Sequence, residues 1–462
     1  MQANDKKIVI LGGGITGLVL AERLSRKFGE QVILLEKDFS CGGLAATLSN
    51  NGLCFDLGSH RLHIRSSRQV IRYIENILSD SLLYRRRHGK LYFQGKFIKY
   101  PPNIWNLLKV YSTHDIFISA SRYFMNLILP KTIGEQNFQT AMIRAVGWDI
   151  YNKVYRGYAE KLWGIDPKHI SVDGMHKRKT VIDLKTLRNA FAQKHYFLYP
   201  KQGIGQISKK LEDAILRNRG KIVKGALASR ITKDKGQLLI RYSLTEQGEN
   251  YILANKVIST LPIDELYGLV NPSFDKMCML RWRDVRLAYL HIAEDINDPT
   301  ETYYFPSQDI VVGRVSEIKK YSPHINSGIK GTLITIEIPV SKGDDIWMMS
   351  EEALKALCME NLIRIGILDK NVDVLRFFSL KLDKVYPIYE IGWREKFQKL
   401  YQGIEHIPNL FTIGRGGLFL HCNIDHCVLQ GIKLAEYILK SNNDKVAWDN
   451  QVKEFLTFSA RD

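Results

Sequence analysis

The sequence predicts an α/β protein with a parallel-sheet nucleotide-binding unit at its start, followed by further domains. Three observations predict it. An apolar strand-type run, Lys7 to Leu11, leads into Gly12, Gly14 and Gly17 at G-x-G-x-x-G spacing. A helix-compatible segment, Leu18 to Lys27, and a second apolar run, Gln31 to Leu35 closed by Glu36, complete a βαβ unit. The length of 462 residues exceeds what one hydrophobic core usually holds, so at least two domains are expected.

The unit has a physical logic. Gly12 permits the tight turn, Gly14 lets the backbone approach a pyrophosphate, and Gly17 lets the helix pack close to the strand. Ile15 and Thr16 open the helix, whose N-terminus faces the phosphate charge. Glu36, with Lys37 beside it, is placed to accept hydrogen bonds from a ribose hydroxyl. These residues point to a dinucleotide and leave open which one.

Composition narrows the class. Hydrophobic content of 45% and charged content of 25% are ordinary for a globular chain. No N-terminal signal precedes the first strand, and no uninterrupted apolar window is long enough for a transmembrane helix, so a cytoplasmic protein is expected. Six cysteines, at 41, 54, 278, 358, 422 and 427, lack C-x-x-C spacing, which fits a reduced compartment and not a metal site. The net charge of +18 suits an anionic partner, yet its residues are spread along the chain except in Arg85-Arg-Arg-His-Gly-Lys90. No nucleic-acid motif is present. A generally basic surface or an anionic small substrate accounts for the charge.

After Glu36 come Gly42-Gly43-Leu44 and a short hairpin, Phe55-Asp56-Leu57-Gly58, running into Ser59-His60-Arg61-Leu62-His63. A glycine fingerprint, an acid, a Gly-Gly pair and F-D-x-G together resemble FAD enzymes of the glutathione-reductase type. Within these the chain resembles the flavin amine oxidase and protoporphyrinogen oxidase-like superfamily, in the branch of the UDP-galactopyranose mutases. Further matches carry the resemblance. Lys90 to Tyr100 reads as a hairpin turning at Gly95. Val146 to Pro167 is similar to a mutase motif at nearly every fixed position, including Trp163. Trp282-Arg283-Asp-Val-Arg286 and Arg314-Val-Ser-Glu317-Ile-Lys319 resemble two arginine motifs of that family, and Tyr386-Pro387-Ile-Tyr389 is shared with the wider group. Gly414-Arg415 to Asp425-His426 resembles its FAD-closing motif, followed by a helix over 426–440.

The resemblance implies a glutathione-reductase-type, Rossmann-like FAD-binding domain with an inserted helical segment and a mixed β-sheet substrate domain. The FAD-binding domain would be discontinuous, over 1–80, 196–270 and 401–445. A hairpin plus helical part would fill 81–195, an antiparallel-sheet substrate domain 271–400 and a tail 446–462. FAD would contact Gly12, Gly14, Ile15, Thr16, Gly17, Glu36, Lys37, Gly43, Leu44, Gly58, Ser59, His60, Ala228, Gly414, Arg415, Asp425 and His426, with Ala228 near the adenine on a strand around Ile222 to Ile231. His60, His63, Trp163, Arg283, Arg286, Arg314 and Tyr386 would be catalytic, Arg314 by stabilising negative charge on reduced flavin. Plainer readings stand beside these: polar hairpin histidines, a helix-packing tryptophan and arginines in surface ion pairs. Residues 104–130 carry an aromatic stripe at helical spacing (Trp105, Tyr111, Phe117, Tyr123, Phe124), which suits a helical core and leaves peripheral membrane contact open.

The chain also departs from the mutases. Ala46 stands where a basic residue often follows the Gly-Gly pair. Val181 or Ile182 stands where mutases place a substrate arginine, Ile338 where they have a diphosphate tyrosine, and His421 replaces a second tyrosine. Three groups of the diphosphate clamp are thus absent. The resemblance therefore implies a flavin enzyme acting on a bulky anionic substrate of the sugar-linked or nucleotide-sugar kind. Two reaction classes follow: net oxidation with an external electron acceptor, or non-redox sugar isomerisation that needs an external reductant.

Overall fold

The computed structural model describes residues 6–100, 121, 137–177, 196–244, 248–274, 279–440 and 444–460. The aromatic stripe of 104–130, Val181, Ile182 and Cys278 lie outside the described residues.

The chain opens with strand β1 (Ile8–Leu11), helix α1 (Ile15–Phe28) and strand β2 (Val32–Glu36). A hairpin of β3 (Thr47–Asn50) and β4 (Leu53–Asp56), the short β5 (Leu62–His63), α2 (Arg68–Leu78) and β6 (Leu82–Arg86) lead to a second hairpin, β7 (Gly89–Phe93) and β8 (Lys96–Tyr100). Gln94 and Gly95, at φ 49° and 76°, make its turn, as the sequence predicts. Helices α3 (Phe138–Val146) and α4 (Gly157–Trp163) precede β9 (Tyr196–Pro200) and α5 (Gln206–Arg217).

One strand was expected around Ile222 to Ile231; the structure has two. Gly225, at φ 70°, separates β10 (Lys221–Lys224) from β11 (Ala226–Asp234), and its N–H bonds to Asp38 O at 3.2 Å. β11 then pairs antiparallel with β12 (Gln237–Leu244), and β12 with β13 (Gly248–Ala254), before the chain re-enters the first sheet as β14 (Lys256–Ser259). A long β15 (Trp282–Ile292), β16 (Thr302–Tyr304), β17 (Arg314–Glu317), β18 (Thr332–Val340), α6 (Glu351–Arg364) and β19 (Val374–Pro387) follow. The chain returns through β20 (Leu410–Thr412) and α7 (Ile424–Leu439). The expected tail begins as helix α8 (Lys445–Phe455), whose Trp448 and Phe455 are buried in the main core.

The first sheet has the order β10-β2-β1-β14-β20 and is parallel throughout. Its central strands β1 and β2 are buried throughout, because α1 packs against both while the β11–β13 sheet packs against β2 and β14. α1 starts at Gly14 with no side-chain cap, so its first N–H groups stay available. A Cβ on Gly17 would lie 2.1 Å from Gly12 O, which is why glycine is needed where helix meets strand. Likewise a Cβ on Gly431 would lie 2.9 Å from Thr16 O, where α7 crosses α1.

The second sheet is mixed, with order β19-β15-β18-β17-β16-β7-β8, and draws its last two strands from the hairpin of residues 89–100. β15 is buried on both faces by its alternation. Val285, Leu287 and Tyr289 pack with Leu53 and Phe55 of the β3–β4 hairpin, whereas Ala288, Leu290 and Ile292 pack with Leu354, Cys358 and Leu362 of α6. Asp56 ties the layers together: it accepts from Thr47 Oγ1 (2.6 Å), the Tyr199 hydroxyl and Ile204 N (3.2 Å), and its carbonyl accepts from Tyr289 OH (2.8 Å).

Replacing Gly17 by Ala should force the helix off the strand, costing about 1–3 kcal/mol as overpacking does. Denaturant unfolding checks this, with Gly14→Ala as the comparison, since a Cβ there meets nothing within 4 Å. Equal midpoints for the two variants would contradict the packing account.

Candidate functional site

The crevice at the carboxyl end of the first sheet is built by glycines. Gly12 N donates to Leu35 O (2.8 Å) and Gly42 N to Gly13 O (2.8 Å), which locks the fingerprint turn onto the Gly-Gly pair. Gly12 and Gly43 have φ of 98° and 53°, conformations that side chains disfavour. Gly14 faces open space at the uncapped start of α1, with Ile15 and Thr16 buried behind it. Glu36 is buried; Gly13 N donates to its Oε2 (2.6 Å) and Asp38 N to its Oε1 (2.9 Å), and burial raises its pKa despite these bonds. Lys37 is exposed beside it, and Leu44 is half-buried past the pair. Lys224 is the strand partner of Glu36, so Ala228 stands on the strand leaving that end of the crevice. The open face at Gly14, free helix N–H groups and oriented acid fit a dinucleotide.

A second cluster lies where the first domain meets the mixed sheet. Glu337 Oε1 accepts from Ser59 N (2.7 Å) and Ser59 Oγ (2.9 Å). Arg314, its cross-strand partner, forks onto the same carboxylate through Nε (2.8 Å) and Nη2 (2.5 Å). Burial alone would raise the Glu337 pKa; the Arg314 guanidinium and the Ser59 donors outweigh it and hold it below the usual value. Gly58, at φ 96°, approaches so closely that a Cβ would lie 3.2 Å from the Glu337 carboxyl. His60 Nδ1 sits 3.2 Å from Gly58 O. Burial pushes its pKa down to about 4; Glu337 favours the charged ring, while Arg314 and Arg415 oppose it. His60 is therefore neutral near pH 7.

The closing motif completes the neighbourhood. Arg415 donates from Nε (3.1 Å) and Nη2 (2.6 Å) to Val385 O and from Nη1 to Cys422 O (2.7 Å), with its guanidinium 5.3 Å from the Tyr386 ring centroid. It thus joins β19 to the closing loop. Tyr386 also lies 5.2 Å from the His421 ring. Asp425 accepts from Ser66 Oγ (2.9 Å), and Gly414 N donates to Gln430 Oε1 (2.7 Å).

Five expected site residues have other work. His63 Nδ1 accepts from Arg65 N (3.0 Å), fixing a turn. His426 Nδ1 accepts from Asn423 N (3.2 Å), a helix-start contact, and its ring stacks on Phe458 at 4.5 Å. α7 accordingly begins at Ile424, two residues before the expected start. Trp163 is 2% exposed and packs edge-on to Phe138 at 5.3 Å in the helical core. Arg283 donates to Ser341 Oγ (2.5 Å), Lys161 O (3.1 Å) and Pro339 O (3.1 Å), and the left-handed Gly164 leaves room for it: a Cβ there would lie 2.2 Å from Nη1. Arg286 is held by Ser379 Oγ (3.1 Å), Trp347 O (2.8 Å) and Glu351 Oε1 (3.2 Å). Buried guanidiniums take such carbonyl partners because an unmet donor is costly. Lys161 of the same motif donates to Phe305 O, Ser307 O and Val312 O (2.6, 3.0 and 2.6 Å), anchoring α4 to the sheet loops.

Glu337 and the backbone N–H of Gly13 were not among the expected site groups. The sequence alone placed Glu317 in the Arg314 motif, whereas the pairing acid comes from the neighbouring strand. The available signal was one acid inside the otherwise uncharged run Thr332–Val340, since a buried carboxylate requires a partner.

His60 also predicts a pH effect. Its folded pKa of about 4 lies below the ordinary 6.5, so its contribution is complete above pH 6.5 and is lost as pH falls toward 4. The size is on the order of 3 kcal/mol. Denaturant midpoints between pH 7 and 4.5 should fall less steeply in His60→Asn than in the unmodified chain; parallel curves would contradict a buried neutral ring.

Comparison with known proteins places this geometry. Residues 10–77 match the family model of an NAD(P)-binding Rossmann-like domain, and residues 153–360 match that of UDP-galactopyranose mutase. The chain is 21% identical to UDP-galactopyranose mutase of Mycoplasma pneumoniae, over 95% of this chain and 97% of that protein. It is 20% identical to dTDP-fucopyranose mutase of Escherichia coli, over 95% and 100%. In fold it is similar to reduced UDP-galactopyranose mutase (TM-score 0.79, 19% identity, 95% of this chain and 96% of the other). It is also similar to a putative protoporphyrinogen oxidase from Exiguobacterium (TM-score 0.73, 17% identity, 96% and 100%). The chain thus resembles the UDP-galactopyranose mutases in sequence over nearly its whole length, and it shares its fold with one of them and with a putative protoporphyrinogen oxidase.

Proposed function

We propose that this protein binds FAD across the Gly12–Gly17 turn, Glu36 and the 414–425 loop, and acts on an anionic, nucleotide-sugar-type substrate. The observation that carries the reading is the Arg314–Glu337–Ser59 cluster around the buried Glu337 carboxylate. It fixes a guanidinium beside Gly58 and His60, at the junction of the nucleotide crevice and the mixed sheet. Bound FAD would supply either electron transfer or, when reduced, nucleophilic chemistry toward a sugar. The chain's own residues orient and polarise. Arg314, held by Glu337, keeps its positive charge aimed where negative charge gathers. His60 contributes a neutral ring that can exchange a hydrogen bond without adding a second cation. Tyr386, under Arg415, offers a hydroxyl on the sheet side. Lys37, Leu44 and Ala228 would serve the adenosine half. Full-length similarity to two sugar-nucleotide mutases favours isomerisation over net oxidation. The oxidative reading is kept because of the protoporphyrinogen oxidase-like fold and the missing clamp tyrosines.

Among the described residues no helix is long and apolar enough to cross a membrane. A cytoplasmic site of action agrees with a nucleotide-sugar substrate.

Turnover of UDP- and dTDP-sugars should require dithionite-reduced protein. Oxygen-consuming turnover of an amine or a porphyrinogen, with none of sugar nucleotides, would overturn the mutase reading. Arg314→Lys should lower kcat roughly a hundredfold, in line with loss of one preorganised electrostatic donor, while FAD stays bound. Unchanged kcat would remove Arg314 from the mechanism.

A further inference from the structure

The basic run of residues 85–90 plays no part in the cofactor crevice, and its members differ. Arg85 Nη2 donates to Lys320 O (3.2 Å), His88 N donates to Glu301 Oε2 (2.6 Å), and Lys90 pairs with Asp298 at 2.5 Å. Arg87 is the exception. It is 9% exposed, yet among the described residues no carboxylate pairs with it. Its one hydrogen bond runs from Nη2 to Tyr304 OH at 3.3 Å, its guanidinium lies 5.0 Å from the Tyr100 ring centroid, and its buried Nε has no partner. The nearby acid, Glu301, is already occupied by Arg61 Nη1 (3.1 Å) and His88 N.

A buried guanidinium without a counter-charge costs several kcal/mol, so packing alone does not account for it. Its surroundings are built for an anion. Arg61 Nη2 (2.6 Å) and Arg87 Nη2 both donate to the Tyr304 oxygen, which leaves the phenol proton free to donate outward. Tyr304 is the strand partner of Arg314, and Arg61 directly follows His60. The cluster therefore adjoins the proposed reaction site rather than lying on a separate surface.

We propose that Arg87, with Arg61 and the Tyr304 hydroxyl, is the oxyanion subsite of the substrate pocket. Resting on the function proposed above, this subsite seats the substrate's diphosphate in place of the clamp groups that this chain lacks. Guanidinium pairs suit phosphate because two parallel N–H donors meet two oxygens. Arg87 supplies the positive charge, which no acid among the described residues neutralises.

The test is calorimetric titration of inorganic pyrophosphate into FAD-loaded protein, with acetate as the carboxylate control. The unmodified chain should bind pyrophosphate more tightly than acetate. Arg87→Met should weaken pyrophosphate about tenfold or more, as loss of a charge-assisted pair does. Arg87→Lys should fall between. Because an unpaired buried charge is removed, Arg87→Met should keep its FAD and show a Tm no lower than the unmodified chain. Equal pyrophosphate affinity in Arg87→Met would overturn the subsite, as would a lowered Tm with loss of FAD, which marks a structural arginine. Tighter binding of acetate than of pyrophosphate would overturn the diphosphate assignment. Sugar-nucleotide turnover separates the two claims. Arg87-dependent pyrophosphate binding without turnover leaves the subsite standing and removes the proposed reaction. Turnover with unchanged affinity in Arg87→Met does the reverse.

Discussion

The bidentate pair between Arg314 and Glu337 is the contact on which the site's geometry depends. Neither residue belongs to the nucleotide-binding sheet, yet Glu337 also takes both donors of Ser59 and so fixes the loop that carries Gly58 and His60. Two separately built layers are thereby set in one register. Such a pair is not retained for stability, since an apolar replacement often serves as well; it specifies position. Its second effect is electrostatic. The arginine is kept charged in a buried place, and the histidine next to it is kept neutral.

The same economy runs through the arginines. Arg283, Arg286 and Arg415 are bound to backbone carbonyls and shape the walls, so their charge is spent on architecture. Arg87 and Arg314 differ because one has no acid among the described residues and the other shares its acid with a loop. A chain of net charge +18 therefore commits few of its cations to the proposed site.

Much of the fold was legible because it is local. The fingerprint turn, the Gln94-Gly95 hairpin and the apolar parallel strands each follow from a few adjacent residues. The cofactor crevice was legible for the same reason, as a glycine without room for a Cβ leaves its mark in sequence. The catalytic assignments were less so. Arg314 and Glu337 are 23 residues apart and meet only through strand pairing, while Trp163 and Gly164 fit their motif through packing against Phe138 and Arg283. A motif records that residues are needed together without saying whether for chemistry or for packing. The pairing of β11 with β12 and β13 and the helix at Lys445–Phe455 were missed because their burial comes from distant partners.

The account stands or falls on what occupies the crevice between Gly14 and Glu36. The direct measurement is competitive calorimetry of the cofactor-stripped protein with FAD and with NADH. FAD should bind at one equivalent and restore a flavin spectrum, with NADH unable to displace it. Tight NADH binding with no uptake of FAD would contradict the account at its base.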